Sequence, residues 1–360
     1  MLKKIVLFIF ICAVAISSML YYFSNAAKYI TTGRKINVLF IIEQNTKNCP
    51  PALKFIVGQY DSANGRLLFL FIDENISVLK RKTKTKTLKE MFYAEPEAER
   101  IDFIKRELYC LFKNKLFIDY YIYSDGLALN SFLELFNRPK MDKMLGTGFL
   151  DEILSGVHRF NAASAKIKAI KYIINNSDRN KITGIVKFLK NNQQSFSTDL
   201  KFFDFFTMYR IVGNINTDEI IFVAVPTVFK RNRIETEAVS FNKVINILND
   251  SSFQKNYSKI NLKVLNSSNK SRLADKAVNI LRKNSFDVFY WGNEIQKVKS
   301  TLIFDMINNH DKAKKISKIL GCGEILVLPN PEPFADITVL LGDDCNLYDK
   351  LDKINLKTGE

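Results

Sequence analysis

An uncharged apolar run from Ile5 to Phe23 opens the chain, broken only by Ser17 and Ser18. About 20 helical residues at 1.5 Å rise cross a bilayer core of about 30 Å, so the run suffices for one spanning helix. Lys3 and Lys4 precede it and favour a cytoplasmic N-terminus, while Tyr21, Tyr22 and Phe23 stand where an aromatic belt meets the far interface. Lys28, Arg34 and Lys35 on the other side oppose that orientation weakly. A segment of this kind exports the polypeptide attached behind it, so residues 28 onward are expected outside the cytoplasm. A cleaved signal peptide is the alternative: Ser24-Asn25-Ala26 puts small residues where a signal peptidase reads, with cleavage before Ala27. A buried core helix fits the terminal position and the lysine flank poorly. Cys12 lacks the small residues of a lipoprotein site.

The chain has 360 residues, a net charge of +16 and a pI near 9.4. Outside the cytoplasm such a surface favours anionic glycopolymers and acidic lipid headgroups over nucleic acid. Only two histidines, His158 and His310, are present, and no zinc-type Cys/His spacing occurs. Beyond Cys12 there are four cysteines: Cys49, Cys110, Cys322 and Cys345. If Ile325–Leu328 and Ile337–Leu341 pair as an antiparallel hairpin, the register brings Cys322 close to Cys345. In an oxidising compartment the two are expected to bond. Two buried thiols are the alternative.

The periodicity predicts an α/β chain: an N-terminal membrane helix, a three-layer α/β domain with a mixed sheet, then a small C-terminal α/β domain. The expected divisions are 1–27 as membrane anchor or signal peptide, 28–35 as linker, 36–250 and 259–345 as domains, and 346–360 as a polar tail. Ile36 to Ile42 (INVLFII) is a short continuous apolar run, as in a strand buried on both faces. A second run, Ala52 to Tyr60, is followed by the Asn64-Gly65 turn and by Arg66 to Ile72, giving a hairpin. Residues 80–89 (KRKTKTKTLK) read as a solvated basic segment, with contact to an anionic polymer or membrane as the functional alternative. A strand is expected over Leu116 to Tyr123, and a helix capped by Thr198-Asp199 carries Phe202, Phe205, Phe206 and Tyr209. A further strand covers Ile220 to Val225, a helix Val239 to Leu248, and a polar boundary Asn249 to Ser258.

Beyond that boundary, Leu262 to Asn266 (LKVLN), Arg272 to Ala274, Phe286 to Val288 and Ala335 to Asp343 (ADITVLLGD) carry a resemblance to the LytR C-terminal domain of envelope proteins. The larger segment resembles the LytR-CpsA-Psr family through Tyr60-Asp61, the Asn64-Gly65 turn, Leu67 to Ile72 and Ile118 to Asp125 (IDYYIYSD). The resemblance implies a membrane-anchored, outward-facing protein. Family members move a glycopolymer from a polyprenyl-pyrophosphate carrier to peptidoglycan or a similar acceptor with Mg²⁺. Their lipid tail lies in an apolar cavity, with arginines and aspartates at its mouth.

The chain departs from the family where that chemistry sits. The strand-end Asp falls on Gln44, beside Glu43. An Arg and an Asp fall on Pro51 and Leu53, and a Pro-Arg-Asp falls on Asp73-Glu74-Asn75. A Lys-x-Asn-x-x-Tyr segment falls on Thr87, Lys89 and Phe92, and an Arg-rich stretch falls between Gly156 and Lys171. Lys89, His158 and Arg159 are the ligand-binding candidates; no residue is assigned to catalysis or to metal binding. The expected protein is a single-pass, extracytoplasmic member of an envelope glycopolymer assembly system that has lost the family site. It would bind a polyprenyl-linked or anionic ligand, peptidoglycan or an envelope partner, with Mg²⁺ needed only if the transfer is retained. An active transferase and a non-catalytic scaffold remain the alternatives. Cations converging with carboxylates at a tunnel mouth would favour the enzyme; an aromatic-filled interior would favour the scaffold.

Overall fold

The computed structural model describes residues 24–46, 49–78, 86–145, 159–177, 181–192, 195–230, 233–249, 260–330 and 333–347. The Ile5–Phe23 run lies outside them. Among the described residues no helix is long and apolar enough to cross a membrane. The segment read as a linker begins as helix α1 (Asn25–Thr31), whose N-cap Ser24 accepts the Ala27 N–H.

Strands β1 (Lys35–Thr46), β2 (Cys49–Asp61) and β3 (Arg66–Ile72) form the expected antiparallel opening. Asp61 Oδ1 accepts the N–H groups of Ala63 and Asn64, and Gly65 takes φ +62°, which closes the β2–β3 turn with Asp61 opposite Arg66. Short strands β4 (Ser77–Val78) and β5 (Lys86–Thr87) lead into α2 (Leu88–Ala94), started by the reciprocal Thr87–Glu90 capping box, and α3 (Arg100–Leu111). Strand β6 (Tyr120–Asp125) pairs parallel to β1. It starts later than expected: Leu116 and Ile118 are buried, but as irregular chain. Helices α4 (Gly126–Glu134), α5 (Arg138–Leu145), α6 (Arg159–Asn175) and α7 (Ile182–Asn191) come next.

Thr198 does not cap a helix. It ends strand β7 (Phe196–Thr198) and donates its hydroxyl to the Tyr121 carbonyl at 2.6 Å. Helix α8 (Phe202–Val212) starts after Lys201 without a side-chain cap. Strand β8 (Ile221–Ala224) precedes an unanticipated hairpin of β9 (Thr227–Lys230) and β10 (Arg233–Thr236), then α9 (Ala238–Asn249). The C-terminal segment contains β11 (Asn261–Asn266), α10 (Leu273–Lys283), β12 (Asp287–Asn293), β13 (Leu302–Asp305), α11 (His310–Leu320), β14 (Glu324–Val327) and β15 (Ile337–Leu341).

One mixed sheet runs through both segments in the order β12-β11-β15-β13-β14-β8-β3-β2-β1-β6-β7. Alternation divides its side chains between two faces. Leu53, Phe55 and Val57 pack with Leu88, Phe92, Ile104, Leu108 and Val244 of α2, α3 and α9. On the other face, Ile56, Leu67, Phe69 and Phe222 share one core with Ile167 and Ile174 of α6 and with Leu302, Phe304, Leu326 and Leu340 of the C-terminal segment. Helix α6 also reaches that segment with charge: Lys171 pairs with Glu324 at 2.7 Å and Lys168 with Asp344 at 3.2 Å. The expectation of an α/β chain with a mixed sheet therefore stands.

Strands β14 and β15 are not a hairpin. β13 lies between them, parallel to β14 and antiparallel to β15. The disulfide is nevertheless present between Cys322 and Cys345, with Cα atoms 5.5 Å apart. The start of β14 and the end of β15 still fall at the same end of the sheet, because β15 runs antiparallel to β13 and so against β14 as well. Cys110 is a free, exposed thiol. Closing a loop of this length contributes about 3 kcal/mol. Cys322→Ser with Cys345→Ser should lose that much in urea denaturation, and a non-reducing peptide map should find the two peptides joined and Cys110 alkylated.

His310 opens α11 at the junction of the two segments, 4% exposed, with neither ring nitrogen hydrogen-bonded among the described residues. Lys314 of the same helix faces it, as do Glu219 before β8, Lys171 of α6 and Arg66 of β3. Burial, then the Lys314 ammonium, lowers its pKa to about 4. Below pH 6.5 the unfolded chain takes up a proton here that the folded chain refuses until pH 4. Stability therefore falls through that window, by about 3 kcal/mol at pH 4. Asp305, raised to about 6 by burial, acts in the opposite direction below pH 6. The histidine's share is read by difference: between pH 7 and pH 4, the parent should lose about 3 kcal/mol more than His310→Gln. Equal losses in urea titrations would refute the assignment.

Candidate functional site at the strand ends

Strands β1, β3, β6 and β8 run parallel and end at one edge of the sheet, where open α/β sheets receive ligands. β1 brings Glu43 there, the turn after β3 brings Asp73 and Glu74, and β6 brings Asp125. Asp125 is committed to the fold, capping α4 through the Ala128 N–H at 2.7 Å.

The alternation of β1 and β2 separates the remaining charges. Glu43 lies opposite Leu53, and Lys54 opposite Ile42, so the two charges point to different faces. Glu43 is buried and accepts two phenols, Tyr93 at 3.1 Å and Tyr123 at 2.6 Å. Burial and this carboxylate push both phenols well above their ordinary range. On the α6 face, buried Lys54 donates to Glu74 Oε1 at 2.7 Å. Lys166 of α6 stands over the Phe71 ring at 5.6 Å. Burial, then the Lys54 ammonium, lowers the Lys166 amine to about 8, against the opposing pull of Glu74 and Asp73. Two ammonium groups thus meet two carboxylates, and the cluster carries little net charge for a polyanion. Asp73 also accepts the Asn75 N–H at 2.9 Å, which fixes the turn.

Along the same face, an apolar cavity of about 60 Å³ lies between the sheet and α8, lined among others by Val38, Gly58, Tyr60, Phe69, Met208 and Val212. Sites for small ligands are typically about 300–1,000 Å³. Aromatic rings occupy the space: Phe40 lies 6.5 Å from Phe69, Phe69 5.7 Å from Phe222, and Phe222 6.1 Å from Phe71. Gly58 admits two of them, since a Cβ there would meet Phe40 at 3.2 Å and Phe69 at 3.3 Å. A roomier cleft of about 840 Å³ opens away from the strand ends, beside α3. Its Lys105 and Asp119 are already paired with Asp199 and Arg34.

Of the expected candidates, only Lys89 has a described side chain. Lys89 is on α2, half-buried, and its N–H donates to the Glu74 carbonyl. His158 lies outside the described residues, and Arg159 is the first residue of α6. Leu53 and Phe92 are core residues, Phe92 edge-on to Phe55. Lys54 and Lys166 were missed. Lys54 announced itself as a lone charge in the apolar strand ALKFIVGQY, and Lys166 stands between Gly156 and Lys171, the stretch on which the resemblance puts an Arg-rich segment.

The residues do not fit the Mg²⁺ that the resemblance implies. A hard cation needs free carboxylate oxygens. Both Glu43 oxygens accept phenols, and Glu74 holds Lys54, which points to the face opposite Glu43. Among the described residues, no three or more Asp, Glu, His or Cys side chains group to hold a metal. Breaking a buried ion pair by removing one partner costs about 3–5 kcal/mol. Lys54→Met should lose that much in urea denaturation, and Lys54→Met with Glu74→Leu should lose clearly less.

Comparison with curated proteins gives no match. Among solved structures, TagV of Bacillus subtilis is similar with 13% identity and a TM-score of 0.45, covering 60% of this chain and 96% of its own. Lin1025 of Listeria innocua has 11% identity and a TM-score of 0.44, covering 62% and 100%. TagT bound to LI-WTA has 9% identity and a TM-score of 0.43, covering 59% and 89%. A family model described as "LytR cell envelope-related transcriptional attenuator" matches residues 259–344, the stretch singled out in the sequence. Residues 259–344 therefore form a LytR_C domain.

Proposed function

We propose that this chain is a membrane-anchored, extracytoplasmic protein of cell-envelope glycopolymer assembly that keeps a transferase-like scaffold without the transferase site. The LytR_C domain and the family resemblance of the larger segment support the envelope setting. The Ile5–Phe23 run supports a single anchor, with the bulk of the chain on the periplasmic or wall side. One observation carries the loss of chemistry: the Lys54–Glu74 pair. Attack on a pyrophosphate with departure of polyprenyl phosphate needs preorganised cations facing it. Here the buried cation is spent on a neighbouring acid, and the adjoining amine of Lys166 is lowered toward neutrality. The filled aromatic interior supports an interaction role over enclosure of a polyprenyl tail. The expected partners are the membrane and peptidoglycan, a polyprenyl-linked glycan or another envelope protein, and not nucleic acid.

The purified full-length chain, given a polyprenyl-pyrophosphate glycan and Mg²⁺, should release no polyprenyl phosphate above a denatured control. Release abolished by Lys166→Met or Glu43→Gln would replace this reading with a relocated active site.

A further inference from the structure

Ser24 is wholly buried where the described chain begins. Its hydroxyl donates to Asp204 Oδ1 at 2.9 Å and accepts the Ala27 N–H at 3.0 Å. The Ala26 N–H donates to the same Asp204 oxygen at 2.8 Å. Ala26 is buried among Ile36, Val38 and Tyr120. Asp204 stands in the first turn of α8, fully buried, and its other oxygen has no partner among the described residues. The Tyr120 phenol beside it is pushed up by burial and then by this carboxylate. Buried carboxylates are costly unless hydrogen-bonded, and the Ser24 and Ala26 donors to Asp204 come from the residues just after the apolar run. Cleavage before Ala27 would remove both.

Two exposed side chains flank this latch. Lys201 and Phe202 precede Asp204 in the chain; Phe202 is 56% exposed, touching the Phe203 ring edge-on at 5.5 Å. Aromatic rings and ammonium groups are the side chains favoured at the headgroup level of an anionic bilayer. The apolar run ends at Phe23, one residue before Ser24 of the latch.

We propose that the start of α8, around Lys201 and Phe202, is the bilayer-contact surface of the folded body. Asp204 latches Ser24 and Ala26 to the folded body, so that the N-terminal run is retained and not cleaved before Ala27. This rests on the reading of Ile5–Phe23 as a membrane segment, and the test separates the two. The full-length chain is placed in vesicles of phosphatidylglycerol and brominated phosphatidylcholine. The parent carries a single tryptophan, Trp291 in the C-terminal segment, and serves as reference for Phe202→Trp. Intact mass should include residues 1–26, and the emission added by the Phe202→Trp substitution should be lost to the bromines while the parent's is retained. A chain starting at Ala27, or quenching no greater than in the parent, would overturn the proposal. A full-length chain that does not remain with the vesicles would overturn the membrane-segment reading itself.

Discussion

Strand β8 has two edges to satisfy, and the molecule is arranged around how that is done. On one side it pairs with β3, Leu68 to Phe71 facing Ile221 to Ala224. On the other, Val223 meets Val327 of β14. An open edge leaves a row of backbone groups unpaired and invites association with other chains. The C-terminal domain closes this edge with its own strand. Leu326, Phe304, Leu302 and Leu340 then continue the apolar face begun by Ile56, Phe69 and Phe222, and α6 lies across both. Backbone pairing and burial act together here.

The same strand geometry decides the chemistry at the sheet edge. Side chains on neighbouring strand residues point to opposite faces, so Glu43 and Lys54 cannot meet although their strands are paired. Each is satisfied within its own layer, Glu43 by Tyr93 and Tyr123 and Lys54 by Glu74. In a low-dielectric setting a satisfied charge is stable and inert toward a ligand, because recruiting it requires breaking the bond that made its burial tolerable.

Much of the larger segment was legible because its signals are local. INVLFII, the Asn64-Gly65 turn and RLLFLFI specify three antiparallel strands through apolar runs and one turn. The Thr87–Glu90 capping box is likewise complete within four residues. What escaped the sequence is tertiary. Nothing near Ile325 or Ile337 indicates that β13 will insert between their strands, since that choice depends on β11 and β8 offering partners on either side. Thr198 has the chemistry of a helix cap and spends its hydroxyl on Tyr121 instead. At the site, Lys54 was visible as a charge in an apolar strand, but its partner Glu74 lies across a turn and a strand. Only the fold brings it within 2.7 Å.

The shared sheet also bears on how such proteins can be rearranged by recombination. A LytR_C domain tethered by a flexible connector could be exchanged, duplicated or lost without cost to its neighbour. Here its removal would uncover the edge of β8, expose Phe222 and Ile220 and strand Lys171 without Glu324. A functional gene truncated at the polar boundary would need a substitute strand for β8. The boundary at residue 259 therefore marks where the LytR_C match starts, while the sheet that holds the two segments together extends across it.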